Sequence, residues 1–261
     1  MHDSSDPSRN RAHAAPAASG SARDRRFPPL EAVVFDLFHT LIDMSRTPPG
    51  TSTPELLGID PDVWGHKVTE ASPHHALGDD PDPVDSLRRI AHAIDPSIPE
   101  ERIRAAAACR PARFRAALLQ VRPAVLDAIA RLRGLGLKIG LISNAGLDEI
   151  DCWEESPLAP LFDAALFSCI EKVMKPDPAI YLRAAQRLGA QPAACLYVGD
   201  GASREHEGAR AAGMRTVLML AILNEVHPVA AASRARTTDW VIDSFEDLVA
   251  LAARLRTPER S

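Results

Sequence analysis

Six short apolar runs alternate with stretches of helical periodicity, and this alternation limits what the chain can fold into more than any other feature. The runs are residues 32–37 (AVVFDL), 137–143 (LKIGLIS), 164–168 (AALFS), 194–200 (ACLYVGD), 215–220 (RTVLML) and 239–243 (DWVID). A run that is apolar almost throughout suits a strand covered on both faces, and strands that alternate with helices favour a parallel sheet sandwiched between helical layers. The helices in between carry their own punctuation. Residues 124–135 follow Pro123 and are closed by Gly136; residues 178–188 start behind Asp177; residues 205–212 stop at Gly213; residues 245–255 start behind Ser244. These are N-cap and C-cap signals at the spacing helices require. The expected fold class is α/β.

The alternation is interrupted once. Between residues 43 and 120 strand signals vanish, and the apolar positions of 84–94 and 103–119 recur at helical spacing, with a weaker helix over 63–71. Pro111 is expected to kink or split the second run, since it lacks a backbone N–H. Pro48, Pro49, Gly50 and Pro54 predict a loop at the entrance, Asp82 and Pro83 a helix start, and residues 97–99 another. The division that follows is a disordered extension over 1–29, a core formed by 30–42 and 121–256, a helical insert over 43–120 and a short tail over 257–261. The extension is assigned on composition, because it is rich in Ser, Ala, Pro, Arg and Asp without periodicity.

Composition serves mainly to exclude. At 261 residues the chain is long enough for a core domain with an insert, and 46% hydrophobic with 25% charged residues is ordinary for a water-soluble protein. A net charge of -5 gives no reason to expect nucleic acid or a bilayer as partner. No apolar run approaches the roughly 20 residues of a membrane helix, and the N-terminal segment has no secretory apolar region, so a cytoplasmic location is expected. The expected partner is a small molecule, and a homodimer is compatible with the sequence. Cys109, Cys152, Cys169 and Cys195 contain no CxxC pair and are read as buried, reduced thiols. Of 30 basic residues only Lys67, Lys138, Lys172 and Lys175 are lysines. Where Arg is the default, a Lys suggests a chemical requirement.

Four polar sites fall at or just beyond the ends of expected strands: Asp36 with Thr40, Ser143 with Asn144, Lys175, and Asp200 with Glu205. Singly, each is explained by turn or cap formation or by a solvated charge. Together they share one edge of one sheet, the edge where open α/β sheets bind ligands. Asp36 is then a nucleophile, Ser143 and the Asn144 backbone N–H are donors to an anionic oxygen, and Lys175 is a point charge. Asp200 and Glu205 supply hard oxygen ligands suited to magnesium. Two residues beyond Asp36, where a second acid would serve as proton donor, stands Phe38.

These segments resemble the four motifs of the haloacid dehalogenase superfamily, most of whose members are phosphatases. FDLFHTL (35–41) resembles motif one, LISNAG (141–146) motif two, KPDPAIY (175–181) motif three, and VGDGASREHEGARAAGM (198–214) motif four. The likeness implies a Rossmann-like parallel sheet core with an inserted α-helical cap domain, the insert matching the family's cap of the first class. It implies that Asp36 attacks phosphorus to form an aspartyl intermediate. Ser143 and Lys175 would bind and charge-balance the transferring group, with Thr40, Asn144 and His39 as further substrate-binding residues. Mg2+ would lie between Asp36 and Asp200, with Glu205 and the backbone carbonyl of Phe38 as further ligands.

Loss of a positioned general acid typically costs on the order of 10²–10⁴ in rate, so Phe38 separates several readings. A metal-dependent phosphohydrolase whose leaving group departs easily, or is protonated by another residue such as His39, His74 or His75, ranks first. Second is a 2-haloacid dehalogenase, which resembles this chain in carrying an aromatic residue at the Phe38 position and needs no proton donor. Such enzymes work without metal, however, and lack the first acid of motif four. Third is a phosphonatase-like hydrolase using a cap lysine, for which Lys67 is the one candidate. A catalytically degenerate binding protein is the non-enzyme alternative. Substrate choice is expected to rest with the insert, where Trp64, His66, His75, Arg110 and Arg113 are candidates.

Overall fold

The computed structural model describes residues 27–48, 52–71, 73–80, 82–226, 234 and 238–257. Residues 1–26 of the expected extension, and Pro49 and Gly50 of the expected entrance loop, lie outside them. Six strands form: β1 (Ala32–Phe35), β2 (Lys138–Ser143), β3 (Ala164–Phe167), β4 (Cys195–Gly199), β5 (Arg215–Met219) and β6 (Trp240–Ile242). They make one parallel sheet of order β3-β2-β1-β4-β5-β6. This is the α/β, Rossmann-like fold expected from the alternation. The strand order reverses at β1, so the crevice between the carboxyl ends of β1 and β4 is the topological position for a ligand.

Five of the six strands stop one or two residues short of the apolar run that predicted them, whereas β2 reaches Ser143, the last residue of its run. The cause is visible at β1, where the Asp36 N–H still bonds the Val198 carbonyl at 2.9 Å but the chain then turns away. Asp36, Asp200 and Asp243 at the run ends lie beyond the ladder, whereas Ser143 still pairs with Phe167.

Side chains alternate across the sheet as strand geometry demands. Val33, Phe35, Leu196, Val198 and Val217 meet Val125, Ile129 and Leu132 of the helix Pro123–Gly134 and Leu248, Val249 and Ala252 of the helix Phe245–Arg256. Ala32, Val34, Cys195 and Tyr197 meet Ile180, Tyr181, Ala184 and Leu188 of the helix Pro178–Leu188. Complete burial of each large apolar side chain contributes roughly 1.5–3 kcal/mol, so both helical layers are firmly held. Asp177 and Ser244 cap their helices as expected, their side chains accepting the N–H of Ala179 and Asp247.

Between residues 43 and 120 the described residues form helices and no strand: Thr53–Leu57, Pro61–Ala71, Pro73–Ala76, Pro83–Ile94 and Glu100–Leu119, with a short 3-10 turn before them. Leu57, Leu87, Ala91, Ile98, Ile103, Ala106 and Ala107 give this insert a core of its own. Two expectations need correction. Pro54 does not sit in a loop but opens the Thr53–Leu57 helix, where its missing N–H has no intrahelical role. Pro111 neither splits nor ends its helix, which runs unbroken from Glu100 to Leu119. Tertiary anchoring explains this: Ile103, Ala106 and Ala107 before the proline pack in the insert's core, whereas Phe114, Ala117 and Leu118 after it pack in the main core.

The insert is tied to the sheet domain by Ser168, whose hydroxyl donates to the Ala76 carbonyl at 2.5 Å, and by Lys172, whose ammonium donates to the carbonyls of Leu77 and Gly78. All four cysteines are free thiols; Cys109 is only half-buried, contrary to expectation. Among the described residues no helix is long and apolar enough to cross a membrane.

Candidate active site

At the end of β1, Asp36 is held from both sides. Thr40 donates its hydroxyl to Oδ2 at 2.8 Å, and the Lys175 ammonium donates to Oδ1 at 2.5 Å. Both side chains are buried, and burial, aided by the nearby charge of Glu205, raises the Asp36 pKa against the opposing pull of Lys175. Lys175 reaches Asp36 because its backbone is pinned to motif two: its N–H donates to Asn144 Oδ1 at 2.8 Å, and Asn144 Nδ2 donates to its carbonyl at 2.9 Å. The Lys175–Pro176 peptide that follows is cis.

The three ammonium protons of Lys175 have three acceptors: Asp36, Glu205 Oε2 at 2.7 Å and the Tyr197 hydroxyl at 3.1 Å. Tyr197 in turn donates to Glu205 Oε2 at 2.7 Å. Burial alone would lower the lysine pKa; the charges of Asp36 and Glu205 outweigh it and hold the ammonium firmly protonated. Glu205 Oε1 accepts the Gly201 N–H at 2.8 Å and lies over Gly199, where a Cβ would stand 2.1 Å from it. Glycine at the end of β4 therefore leaves the Glu205 carboxylate room that any side chain there would take. Asp200 Oδ1 accepts the Ala202 N–H at 2.9 Å, and Arg234 donates to Oδ2 at 2.6 Å. Ligand oxygens of Asp36, Asp200 and Glu205 all lie within 4.8 Å of one another. Three buried carboxylates facing one another are mutually repulsive, and hard oxygen donors in this number suit a divalent cation.

A cavity of about 440 Å³ opens above these groups, lined by Asp36, Phe38, Ser143, Asn144, Lys175, Asp200 and Glu205 from the sheet domain and by Trp64, His75, Arg110, Arg113 and Phe114 from the insert. Ser143 lines it with a hydroxyl that has no hydrogen-bond partner among the described residues. Phe38 packs edge-to-face on Phe114, ring centroids 5.3 Å apart, so the position of the absent acid is an apolar wall shared with the insert.

A second polar cluster joins the insert to the loop after motif two. Arg110 donates Nε to Asp148 Oδ2 at 2.8 Å and a terminal N–H to Glu149 Oε1 at 2.5 Å. His75 Nε2 is 3.2 Å from Asp148 Oδ1 and 3.6 Å from Glu149 Oε1. Burial works against the His75 imidazolium, but its bonds to Asp148 and Glu149 prevail and raise its pKa to about 9. Asp148 and Glu149 are correspondingly held low: their burial is outweighed by His75 and Arg110.

The structure thus brings Asp36, Ser143, Asn144, Lys175, Asp200, Glu205 and His39 to one cavity. Thr40 is fully buried behind Asp36 and is not among the lining residues, so it positions the carboxylate rather than touching a ligand. His39 adopts the left-handed conformation with φ 64°. Trp64, His75, Arg110 and Arg113 line the cavity; the side chain of His66 lies outside the described residues, and Lys67 is not among the lining groups. Sequence reasoning missed Tyr197, Asp148 and Glu149. A tyrosine inside the aliphatic run ACLYVG was the available signal, since a buried hydroxyl requires a partner. Asp148 and Glu149, read alone, are ordinary first-turn acids of a helix.

The profile of the haloacid dehalogenase-like hydrolases matches residues 30–213, which span β1, the whole insert, the first three motifs and the fourth up to Gly213. The chain belongs to that family. It is 34% identical over 134 residues to a glyceraldehyde 3-phosphate phosphatase of Methanopyrus kandleri, covering 50% of this chain and 54% of that one. To a phosphoglycolate phosphatase of Synechococcus elongatus it is 30% identical over 142 residues, covering 52% and 61%. The chain thus spans little more than half the length of these curated relatives. In fold it is similar to the L-2-haloacid dehalogenase of Xanthobacter autotrophicus, with TM-score 0.58, 22% identity, and coverage of 85% of this chain and 98% of that one.

Proposed function

We propose that this family member is a magnesium-dependent phosphohydrolase of small phosphorylated metabolites, working in the cytoplasm with Asp36 as nucleophile. The convergence of Asp200 and Glu205 on Asp36, ligand oxygens within 4.8 Å, carries the reading. Displacement of a halide from carbon needs no cation, whereas three buried carboxylates served by only two cations, Lys175 and Arg234, are better balanced with one. Asp36, Asp200 and Glu205 would hold a hard divalent ion, with the Phe38 carbonyl as a proposed further ligand, and that ion would supply positive charge to the phosphoryl group.

The chain's own residues account for the remaining steps. One Asp36 oxygen attacks phosphorus, the P–O bond to the alcohol breaks, and the departing oxygen takes a proton from water. Water then attacks the phosphorus of the aspartyl phosphate, releasing inorganic phosphate and regenerating the carboxylate. Thr40 and Lys175 hold Asp36 in one orientation, and Lys175, kept protonated by its two acidic neighbours, offsets the negative charge gathered there. Ser143 offers its hydroxyl to the transferring group. With Phe38 in place of an acid, good leaving groups are favoured.

The second reading, C–halogen hydrolysis, draws on that same apolar Phe38–Phe114 wall. A phosphonatase-like role finds no support in Lys67, which does not line the cavity. Phosphate release from a panel of phosphoesters, assayed with magnesium and with chelator, tests the proposal. Metal-dependent turnover that Asp36→Asn abolishes is expected. Metal-independent halide release from 2-haloacids, without phosphate release, would overturn it.

A further inference from the structure

Among the described residues four Lys and Arg side chains line the cavity, and three of them are committed, as is the His75 imidazolium beside Asp148 and Glu149. Lys175 is saturated by Asp36, Glu205 and Tyr197. Arg110 spans Asp148 and Glu149, and Arg234 bonds the Asp200 carboxylate and carbonyl. Arg113 differs. Its Nε donates to Thr47 Oγ1 at 3.1 Å, and Thr47 is itself anchored by donating to the Met44 carbonyl at 2.9 Å. Neither terminal nitrogen of Arg113 has a partner among the described residues, and no carboxylate there is within ion-pair distance. We infer that Arg113 binds a carboxylate at the far end of the substrate, making the substrate class a small phosphorylated carboxylic acid.

Three observations carry this. First, the Thr47 bond fixes one edge of the guanidinium and leaves the two terminal N–H groups as a fork, the geometry that pairs with a carboxylate through two parallel bonds. Second, the cation is held where it is disfavoured: burial, and after it the adjacent Arg110, lower its pKa and outweigh the pull of Glu55 and Glu149, neither of which is within ion-pair distance, so a carboxylate brought into direct contact by a ligand would relieve it. Third, Arg113 and Asp36 line the same cavity of about 440 Å³. A space of that size is roughly 10 Å across, so the group attacked and the group bound at Arg113 belong to one small molecule. Phe38 and Phe114 line the cavity with them, which suits a short apolar or aromatic spacer. Which bond is cut rests on the phosphohydrolase reading; the anion bound at Arg113 does not.

The test compares 4-carboxyphenyl phosphate with phenyl phosphate in magnesium for the wild type, Arg113→Ala and Arg113→Lys. The wild type is expected to favour the carboxylate by about 10- to 100-fold in kcat/KM, the range of a charge-assisted pair. In Arg113→Ala the ratio should fall to near one, mainly through KM, and Arg113→Lys should restore part of it. A wild-type ratio near one, or a ratio unchanged in Arg113→Ala, would overturn the assignment. If neither ester is turned over, the phosphohydrolase reading falls, and calorimetric binding of the same two compounds decides Arg113 separately. A preference for the carboxylate that Arg113→Ala removes upholds the site, and equal binding of both compounds overturns it.

Discussion

His75→Gln is the substitution whose effect follows most directly from the geometry. The imidazole stands between insert and sheet domain, 3.2 Å from Asp148 Oδ1, with its pKa raised from 6.5 to about 9. A folded value above the unfolded one means the folded protein binds the proton more tightly. The contribution is therefore fully present below the unfolded value of 6.5 and lost as pH rises toward 9. At 1.36 kcal/mol per pH unit this amounts to on the order of 3 kcal/mol. Glutamine keeps a donor of similar reach but cannot titrate. Urea denaturation at about pH 6 and about pH 9 should show the wild type losing on the order of 3 kcal/mol more than His75→Gln between the two. An equal loss in both proteins would refute the reasoning. So would a wild type that gains stability over that interval.

Three further outcomes test the site. Tyr197→Phe leaves one Lys175 ammonium proton without an acceptor and Glu205 Oε2 with Lys175 as its remaining donor, and should cost about 1–3 kcal/mol of unfolding free energy by denaturant titration; no measurable loss would show that the hydroxyl is not part of the network. Gly146→Ala places a Cβ 2.1 Å from His75 Nε2 and should destabilise by about 1–3 kcal/mol, an effect that vanishes when His75 is also alanine. Phe38→Asp restores a proton donor and should raise turnover of alkyl phosphates by roughly 10²-fold relative to nitrophenyl phosphate, whose leaving group needs no proton. Equal changes for both esters would place the missing acid elsewhere.

What could be read from the sequence depended on how local its cause was. The six strands and their capped helices were legible because burial on both faces and cap chemistry are written into consecutive residues. Asp36, Ser143, Lys175 and Asp200 were legible because parallel topology brings all strand ends to one edge, so chain order alone predicts convergence. The continuous helix through Pro111 was not legible: its continuity is imposed by two separate cores, one on either side of the proline. Nor were Asp148 and Glu149, whose partners Arg110 and His75 lie more than thirty residues away in the insert. Tyr197 stood between the two cases, since its hydroxyl announced a need without naming Glu205.

The departure at Phe38 and the Arg113 guanidinium, held by Thr47 at its Nε alone, bear on the same point. An aromatic ring there removes the proton donor but gives the insert a surface to pack on, through Phe114 one residue from Arg113. The edge that lost an acid is thus contiguous with the edge that reads the substrate's far end. If a carboxylate is drawn to Arg113, its spacer lies against the Phe38–Phe114 wall, and the leaving oxygen is presented where no side-chain acid waits. Substrates whose leaving oxygen is stabilised by that spacer, as in an aryl or enol ester, are then the ones this arrangement can turn over without help. Specificity and the missing acid become one constraint: selection by Arg113 delivers substrates for which Phe38 costs little.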